Sequence, residues 1–487
     1  MSSSSHTTQQ KRHALRTLLG EERCITHKDD MTPYVSERRQ RIEGQALGVI
    51  FPETEDDVVA IVRYAQRYGI GLVPQGGHSG LAGAACPTDK DNHVVVAMGR
   101  MNHIRVIDGK NATLIAQAGC TLAQIQDALA DRPLFFPLDI ASRRQCQLGG
   151  LVATNAGGVH VLRYGMMGAL VRGIRAVLAD GSVMDDLTCC LKDNTGYALH
   201  SLFCGSEGTL GIICDVALAL YRRPRRLVSA CFAVRDIGKA LRLYDVIAQE
   251  ALSSLPMPLH AFEYIDGVIF ELVLSMAGQD KRPLRGTYPA YVMAQWEEGG
   301  EEEGDEGMKA HAFSSFREML HARGIIEAAV RCATPSSQRA LWDMRWRIHD
   351  TERRYGDGFK HDIALPLHRW DVFLQETTRA VQESVPHAPL FIFGHLAEGN
   401  LHYNIGKPPM MAQSTFERHR EPLQRYLYDS VRAFGGSFSA EHGVGRLKRE
   451  ELKRYKAQGT YGMMRKLKEA FDPHHIMNPG VFFSSYP

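Results

Sequence analysis

The sequence of 487 residues lacks the features that mark several large classes of protein. No apolar run approaches 18 residues, so no segment is expected to span a membrane. The ten cysteines form no C-x-x-C pair, which indicates reduced thiols and predicts a cytoplasmic location, or the mitochondrial matrix in a eukaryote. A formal net charge of +2 gives no reason to expect nucleic acid as a partner. Composition, with 44% hydrophobic and 23% charged residues, is typical of a globular enzyme.

Two common nucleotide-binding motifs are also missing. No G-x-G-x-x-G follows a strand, and there is no G-x-x-x-x-G-K-[ST], so neither a Rossmann site nor a P-loop is predicted. The chain has instead several separate glycine loops, and glycine allows backbone N–H groups to approach a phosphate closely. We therefore predict an extended, phosphate-bearing cofactor along loops 74–80, 149–150, 155–158 and 205–211.

The strongest local signal is the stretch GHLAEGNLHYN, followed later by the short motif AEHG. An apolar strand leads into His395, and a return strand carries His402 and Asn404. Because side chains alternate between faces, a six-residue turn would place the two histidines on one face, and a five-residue turn on opposite faces. Together with Glu441 and His442, these residues predict a three-ligand metal site and a base.

Patterns along the chain divide it into parts. From about 46 to 224, short apolar strands, helices and glycine turns alternate, which indicates an α+β or α/β arrangement. Further on, the segment 297–307 is so acidic that it is predicted to be a solvated loop. The Ser-rich residues 1–12 are predicted to be a short disordered extension, because they lack the apolar core of a secretory signal.

Taken together, these segments resemble a known family. The motifs PQGGHSGLAGAACP, KDNTGY, GSEGTLG, GHLAEGNLHYNI and AEHGVG are similar to those of FAD-dependent D-2-hydroxyacid dehydrogenases, which have the flavoprotein fold of vanillyl-alcohol oxidase and p-cresol methylhydroxylase (PCMH). D-2-hydroxyglutarate dehydrogenases are the nearest members and D-lactate dehydrogenases are more distant. The resemblance covers nearly the whole chain and implies an α+β fold, in which a two-part PCMH-type FAD-binding domain is joined to a separate α+β substrate-binding cap domain.

This resemblance implies four regions. The N-terminal extension and first helix are expected over 1–42, and the PCMH-type FAD-binding domain over 43–224. The substrate-binding cap domain with the metal-binding hairpin is expected over 225–432. A C-terminal segment, 433–487, is expected to complete the FAD site and the active site.

The resemblance also implies roles for individual residues. His442 corresponds to the catalytic base. The implied metal ligands are His395, His402 and Glu441. The implied substrate-binding residues are Arg345, Lys360, His349 and Asn404. The implied FAD contacts are Pro74, Gln75, Gly76, Gly77, His78, Ser79, Gly80, Leu148, Gly149, Thr154, Asn155, Gly157, Gly158, Glu207, Gly208, Ile212 and Asn478.

Three positions depart from the family pattern. His78 stands where the nearest relatives usually carry an uncharged residue, and in distant members a histidine in a similar loop is bonded covalently to the flavin. His349 stands where some relatives place a threonine near the distal carboxylate, and Val481 replaces the usual lysine after Asn-Pro-Gly. A covalent flavin bond at His78 and an altered distal pocket are therefore both left open.

The oxidation of a 2-hydroxy acid explains why such a site would contain a metal. Imidazole cannot take an alcohol proton efficiently, whereas a divalent metal lowers the pKa of bound water from about 15.7 to about 7. Two nitrogens and one carboxylate suit Zn²⁺, with Mn²⁺ or Co²⁺ also feasible. Two cations beside the metal favour D-2-hydroxyglutarate as the substrate, with D-lactate and D-malate as alternatives.

Further expectations concern the electron acceptor and the competing classes of function. A reduced flavin would pass its electrons to an external acceptor, for which an electron-transfer flavoprotein or a quinone fits the family, and a homodimer is left open. One competing function is a redox-neutral transferase on the same flavin scaffold, against which the metal-ligand set argues. The other is a metal-dependent hydrolase in which the glycine loops are only turns, which bound flavin would exclude.

Overall fold

The computed structural model of the chain describes residues 6–37, 41–250, 258–298, 306–356 and 358–484. The helices are α1 (Thr8–Leu18), α2 (Lys28–Val35), α3 (Glu55–Tyr68), α4 (Leu122–Ala128), α5 (Leu148–Ala153), α6 (Val161–Tyr164), α7 (Met167–Leu170), α8 (His200–Phe203), α9 (Ile237–Asp245), α10 (Gly267–Ala277), α11 (Glu306–Ala322), α12 (Pro335–Tyr355), α13 (Trp370–Ser384), α14 (Gln413–Glu417), α15 (Arg420–Ala433), α16 (Arg449–Tyr455) and α17 (Gln458–Phe471). The strands are β1 (Cys24–Ile25), β2 (Gly48–Ile50), β3 (Gly71–Gln75), β4 (His93–Ala97), β5 (Ile104–Asp108), β6 (Thr113–Gln117), β7 (Leu134–Phe135), β8 (Val171–Val177), β9 (Val183–Asp185), β10 (Ile212–Ala219), β11 (Tyr221–Arg222), β12 (Leu227–Val234), β13 (Leu259–Asp266), β14 (Ala290–Glu297), β15 (Ala328–Cys332), β16 (Gly358–Ala364), β17 (Leu390–His395) and β18 (Asn400–Gly406).

These elements form two compact units. The first unit consists of Met1–Gly158, Gly165–Arg223 and Glu441–Pro487, and the second consists of Val159–Tyr164 and Pro224–Ala440. Each unit has its own sheets and its own buried apolar residues.

The first unit is built around two sheets. The four-stranded sheet has the order β1-β2-β4-β3, in which β2, β4 and β3 run parallel. The five-stranded sheet has the order β5-β6-β10-β8-β9 and is antiparallel throughout. Helix α3 packs against β3 of one sheet and β8 of the other. It begins at a capping box formed by Thr54 and ends where Gly69 adopts a left-handed conformation, which an L side chain would strain.

The second unit is one antiparallel sheet of seven strands with helices on both faces. The strand order is β15-β12-β14-β13-β17-β18-β16. Helices α10 and α12 cover one face, where Phe270, Met344 and Phe393 belong to one apolar cluster. On the other face the Phe373 ring of α13 contacts Tyr403. The sheet interior is thus buried on both sides, and polar side chains inside it need partners.

The second unit continues beyond α15 because the chain returns to the edge of the sheet. The backbone amide of Ser437 donates to the carbonyl of Ala364 at 2.8 Å, and the amide of Ala364 donates back to Ser437 at 3.0 Å. The compact unit therefore extends to Ala440, and the region boundary expected at 432/433 stays a prediction.

Two segments that the sequence predicts to be exposed contain helical residues in the structure. The predicted disordered extension over 1–12 is wrong for residues 8–12, which form the start of α1 because Thr7 and Gln10 make a capping box. Part of the predicted acidic loop, 299–305, lies outside the described residues. Beyond it, Glu306 pairs with Arg226 and Arg331 at the start of α11. No helix in the described part of the chain is both long and apolar enough to cross a membrane.

Candidate active site and cofactor loops

The hairpin formed by β17 and β18 brings the two predicted metal-binding histidines together. Phe393 lies opposite His402 in the antiparallel register. Since side chains alternate along a strand, His395, two positions beyond Phe393, lies on the same face as His402. The two ring centroids are 6.5 Å apart. The turn allows this because Gly399 has a φ of 71°, and a Cβ there would lie 2.3 Å from the carbonyl oxygen of Leu365.

A buried carboxylate on the neighbouring strand holds His395. Glu263 of β13 lies directly opposite His395 and is only 1% exposed. One of its oxygens contacts His395 Nδ1, and the other accepts a hydrogen bond of 2.6 Å from Arg345 Nε. Burial alone would raise the pKa of Glu263, but the charges of Arg345 and His395 outweigh burial and lower the pKa to about 2. Glu263 is therefore ionised at neutral pH.

The carboxylate on Nδ1 is the arrangement that orients a histidine for a metal. In many metal sites a carboxylate fixes one ring nitrogen and thereby directs the opposite nitrogen toward the ion. His402 has a similar neighbour, because its Nδ1 lies 3.9 Å from Asp362 Oδ1. Asp362 in turn accepts a hydrogen bond of 3.0 Å from Asn400 Nδ2. The donor set of this face therefore fits a divalent metal.

Helix α12 presents three functional candidates to this face of the sheet. Along the helix, His349 comes four residues after Arg345, and Glu352 comes three residues after His349. The three residues therefore share one side of the helix. Arg345 is 2% exposed, and its Nη1 is buried without a hydrogen-bond partner among the described residues. A buried guanidinium nitrogen without a partner is costly. It is well suited to receive a carboxylate from a ligand.

A second buried carboxylate, Glu352, engages the other predicted substrate-binding residues. Its oxygens lie 3.3 Å from Lys360 Nζ and 2.6 Å from Asn404 Nδ2, and 3.9 Å from His349 Nδ1. The other end of the Asn404 amide accepts a hydrogen bond of 3.1 Å from the His361 amide, which fixes the orientation of Asn404. Lys360 was predicted as a cation for the substrate, and in the structure a neighbouring carboxylate already balances its charge.

In the first unit, Glu207 holds the loop that follows the predicted base. Its two oxygens accept hydrogen bonds of 2.8 Å each from the amides of Val444 and Gly445. Burial raises the pKa of Glu207 to about 7, against the opposing effect of these two bonds. Asn478 Nδ2 donates at 2.7 Å to the Glu207 carbonyl, which ties the C-terminal segment to the same loop. The predicted FAD contacts of Glu207 and Asn478 stay predictions.

The glycine loop after β3 fits a phosphate-bearing cofactor. The amides of residues 77–80 make no hydrogen bond with any described residue. A Cβ added at Gly80 or Gly150 would meet no atom within 4 Å, so the space beside both residues is open. Gly77 serves packing instead, since a Cβ there would lie 1.7 Å from the Gln145 carbonyl oxygen. Unpaired amides beside open space are what a pyrophosphate requires.

Polar side chains around these loops bind backbone groups and thereby hold the loops in place. Gln75 Nε2 donates to the carbonyls of Tyr34 and Ala85 at 2.7 and 2.9 Å. Asn155 Oδ1 accepts from the Gly168 amide at 2.8 Å. The backbone of these loops, more than their side chains, is therefore the surface offered to FAD.

His78 adopts an unusual backbone conformation in the same loop. Its φ is 50°, and its Nδ1 lies 3.4 Å from the Pro33 carbonyl oxygen. Burial lowers the pKa of His78, so the ring is neutral at neutral pH. A covalent flavin bond at this ring stays an open prediction.

The predicted site residues are divided between the two units. The second unit contains His395, His402, Arg345, Lys360, His349 and Asn404. The first unit contains Glu441 and His442, whose carboxylate and Nε2 lie 3.7 Å apart. The implied roles of Glu441 as a ligand and His442 as the base stay predictions.

Sequence reasoning missed Glu263 and Glu352. A usable signal existed for Glu263, because it is a charged residue inside the otherwise apolar run AFEYI, and a buried charge requires a partner. For Glu352 the signal was its position seven residues after Arg345, on the same side of a helix.

Comparisons with known proteins agree with this architecture. Residues 46–186 match the model of an FAD binding domain, and residues 223–482 match the C-terminal domain of FAD linked oxidases. The chain is 30% identical over 471 residues to a D-2-hydroxyglutarate dehydrogenase of Stutzerimonas stutzeri, covering 97% of this chain and 98% of the relative. It is 31% identical to the mitochondrial D-2-hydroxyglutarate dehydrogenase of Bos taurus, covering 94% and 80%. It is also 32% identical to a putative mitochondrial D-lactate dehydrogenase of Schizosaccharomyces pombe, covering 93% and 85%.

Solved structures show the same fold at low identity. A substrate-bound p-cresol methylhydroxylase matches with a TM-score of 0.75 at 15% identity, covering 97% of this chain and 96% of the other. An alkyldihydroxyacetonephosphate synthase matches with a TM-score of 0.71 at 17% identity, covering 98% and 86%. The predicted α+β flavoprotein fold and the resemblance to D-2-hydroxyacid dehydrogenases are thereby confirmed.

Proposed function

The chain belongs to the family of FAD-linked oxidases, and from this premise we propose that it oxidises a D-2-hydroxy acid to the 2-keto acid with FAD and a divalent metal. The observation that carries the proposal is the buried Arg345, whose Nη1 lacks a partner among the described residues, on the same face as His395 and His402. A carboxylate receptor beside a pair of metal-type histidines is what a chelating 2-hydroxy acid needs.

FAD is proposed to lie along the glycine loops of the first unit. The amides of residues 77–80, which bond to no residue in the described part of the chain, and the open space beside Gly80 and Gly150 would take its pyrophosphate. When bound, FAD supplies the acceptor for the hydride that leaves the substrate Cα. An external carrier, either an electron-transfer flavoprotein or a quinone, would receive the electrons taken from the substrate.

The metal is proposed to be held by His395, His402 and Glu441. Glu263 supports this role for His395 by fixing its Nδ1 side. When bound, a Zn²⁺, Mn²⁺ or Co²⁺ ion would acidify the substrate hydroxyl. His442 then serves as the base that removes the hydroxyl proton, while Arg345 holds the carboxylate next to the reacting carbon.

An anaerobic spectrum of the purified holoenzyme tests the proposal. Addition of a D-2-hydroxy acid should bleach the flavin band, and the L-enantiomer should not. The names of relatives make D-2-hydroxyglutarate the reference compound, with D-lactate and D-malate beside it. Chelator should prevent bleaching while FAD stays bound, and added Zn²⁺ or Mn²⁺ should restore it. The proposal fails if no D-2-hydroxy acid reduces the flavin of metal-loaded enzyme.

A further inference from the structure

We propose that Glu352 determines substrate specificity by neutralising Lys360, so that this enzyme prefers 2-hydroxy acids whose distal end carries no second carboxylate. The inference rests on the proposed function and names the substrate class within it. It departs from the expectation that two free cations favour a dicarboxylate.

The position of Glu352 relative to the two histidines is the first support. In the register of β16 and β18, Lys360 lies opposite Asn404, and Asp362 lies opposite His402. Same-face neighbours along a strand are about 7 Å apart, so Lys360 and Asn404 lie one such step beyond His402. This spacing matches the length of a short hydroxy acid whose head group lies at the histidines. Glu352, together with Lys360 and Asn404, therefore flanks the place where the distal end of such a substrate would lie.

The charge at that place is the second support. The Glu352 side chain is 2% exposed, and the Lys360 side chain is 24% exposed. The ammonium group of Lys360 is 3.3 Å from a Glu352 oxygen, and the Asn404 amide donates to the same carboxylate at 2.6 Å. A second substrate carboxylate would have to share Lys360 with a buried carboxylate of like charge. Like charges brought together in a buried site disfavour binding.

Arg345 provides the internal contrast. Its Nε donates to Glu263, yet its Nη1 still lacks a partner among the described residues. One carboxylate uses neither all five N–H groups of a guanidinium nor all three of an ammonium, but the unused nitrogen of Arg345 is buried, whereas the 24% exposed side chain of Lys360 can turn its unused N–H groups toward water. The site thus retains one receptor for a carboxylate, which suits the C1 carboxylate present in every 2-hydroxy acid. An uncharged distal group, such as an alkyl chain or an amide, fits beside the neutralised Lys360.

Three five-carbon substrates that differ only at the distal end provide the test. They are D-2-hydroxyglutarate, its 5-amide D-2-hydroxyglutaramate, and D-2-hydroxypentanoate. The holoenzyme should have a kcat/KM at least about tenfold higher for the better of the two monocarboxylates than for the diacid. Glu352→Gln should shift that ratio toward the diacid by at least about tenfold, because Lys360 loses its counter-charge.

A matched control separates local from general effects of charge. Asp350 lies on the same helix, and its side chain is 66% exposed in a pair with Arg353. Asp350→Asn removes the same unit of charge and should leave the substrate ratio unchanged. If Glu352→Gln does not fold with FAD, the wild-type enzyme still decides the question through inhibition by its products. In that case 2-oxopentanoate should bind more tightly than 2-oxoglutarate.

The outcomes distinguish the inference from the proposed function. A wild-type preference for the diacid, or an equal shift in Asp350→Asn, would overturn the role of Glu352 and leave the proposed oxidation intact. Failure of these three acids, and of D-lactate and D-malate as well, to reduce the flavin of metal-loaded enzyme would remove the proposed function itself.

Discussion

Two buried carboxylates on one face of the same sheet hold cations in different ways. Glu263 binds Arg345, which is itself 2% exposed, and it also contacts His395. Glu352 binds Lys360, whose side chain is 24% exposed, and it also accepts from Asn404. The first pair leaves a guanidinium nitrogen available to a ligand, whereas the second balances a point charge. The difference shows that a cation at a predicted substrate position is a receptor for a ligand when one of its donors is buried without a partner, as at Arg345 among the described residues, and not when its remaining donors can reach water, as at Lys360.

The chemistry of the two cations explains the difference. Arginine spreads its charge over a planar fork, so it can bind a structural carboxylate at one edge and a ligand at the other. Lysine concentrates its charge on one ammonium group, and a carboxylate at 3.3 Å neutralises most of its field. Substitutions in the Glu263–Arg345 pair and in the Glu352–Lys360 pair should therefore have unequal effects on activity and stability.

The largest effect is expected at His395, whose ring contacts Glu263, and His349 near Glu352 is the matched control. His395→Ala should lose bound metal and reduce turnover by more than the roughly 10–100-fold that supporting partners of a metal site cost. His349→Ala, which removes a ring 3.9 Å from Glu352, should keep its metal. Metal content of the purified holoenzymes and flavin reduction rates check both variants. Equal metal content in the two would remove His395 from the proposed ligand set.

The next effect concerns stability. Glu263→Gln should lower the free energy of unfolding by about 3 to 5 kcal/mol, because Arg345 would then be a buried charge without a counter-charge. Glu352→Gln should cost less, since the partly exposed Lys360 can turn its ammonium group toward water. Urea unfolding of both variants beside Asp350→Asn measures the comparison. A larger loss in Glu352→Gln would contradict the assignment of Arg345 as the cation that depends more strongly on its counter-charge.

The pH dependence of the unfolding free energy tests how Glu263 is held. Glu263 has a pKa of about 2 in the folded chain against an ordinary value of 4.5, so the folded state favours its ionised form. The stabilisation, roughly 3 kcal/mol, is fully present above pH 4.5 and is lost as the pH falls toward 2. The difference in unfolding free energy between wild type and Glu263→Gln should therefore be constant at higher pH and shrink below pH 4.5. A difference that stays unchanged between pH 7 and pH 3 would show that Glu263 is not held by ion pairs.

Much of the framework around these clusters could be predicted because it depends on local patterns. Helix α3 follows from apolar periodicity over 58–68, and β3 follows from the strand-like run at 71–74. The hairpin of β17 and β18 was also predicted, but its register was open. The register became clear only from the pairing of Phe393 with His402, because a turn of one residue more or less reverses the face.

The carboxylates of the site could not be predicted because their partners are distant in the chain. Glu263 precedes Arg345 by 82 residues and His395 by 132, so their contact depends on the order of strands in the sheet. Lys360 follows Glu352 by only eight residues, and their contact joins the end of α12 to the start of β16. Motif similarity indicated which cations were present, and only tertiary structure showed which of them were already paired.

The smallest effect is expected from His349→Thr. The His349 side chain is 47% exposed and lies 3.9 Å from Glu352, a distance and exposure at which a contact between side chains contributes little. The ratio of kcat/KM between D-2-hydroxypentanoate and D-2-hydroxyglutarate should therefore change by less than about fivefold. Glu352→Gln in the same assay should change it by more. If the two variants shift the ratio equally, His349 contributes as much to the preference at the distal end as the pairing of Glu352 with Lys360, and the expectation of a small effect at His349 is wrong.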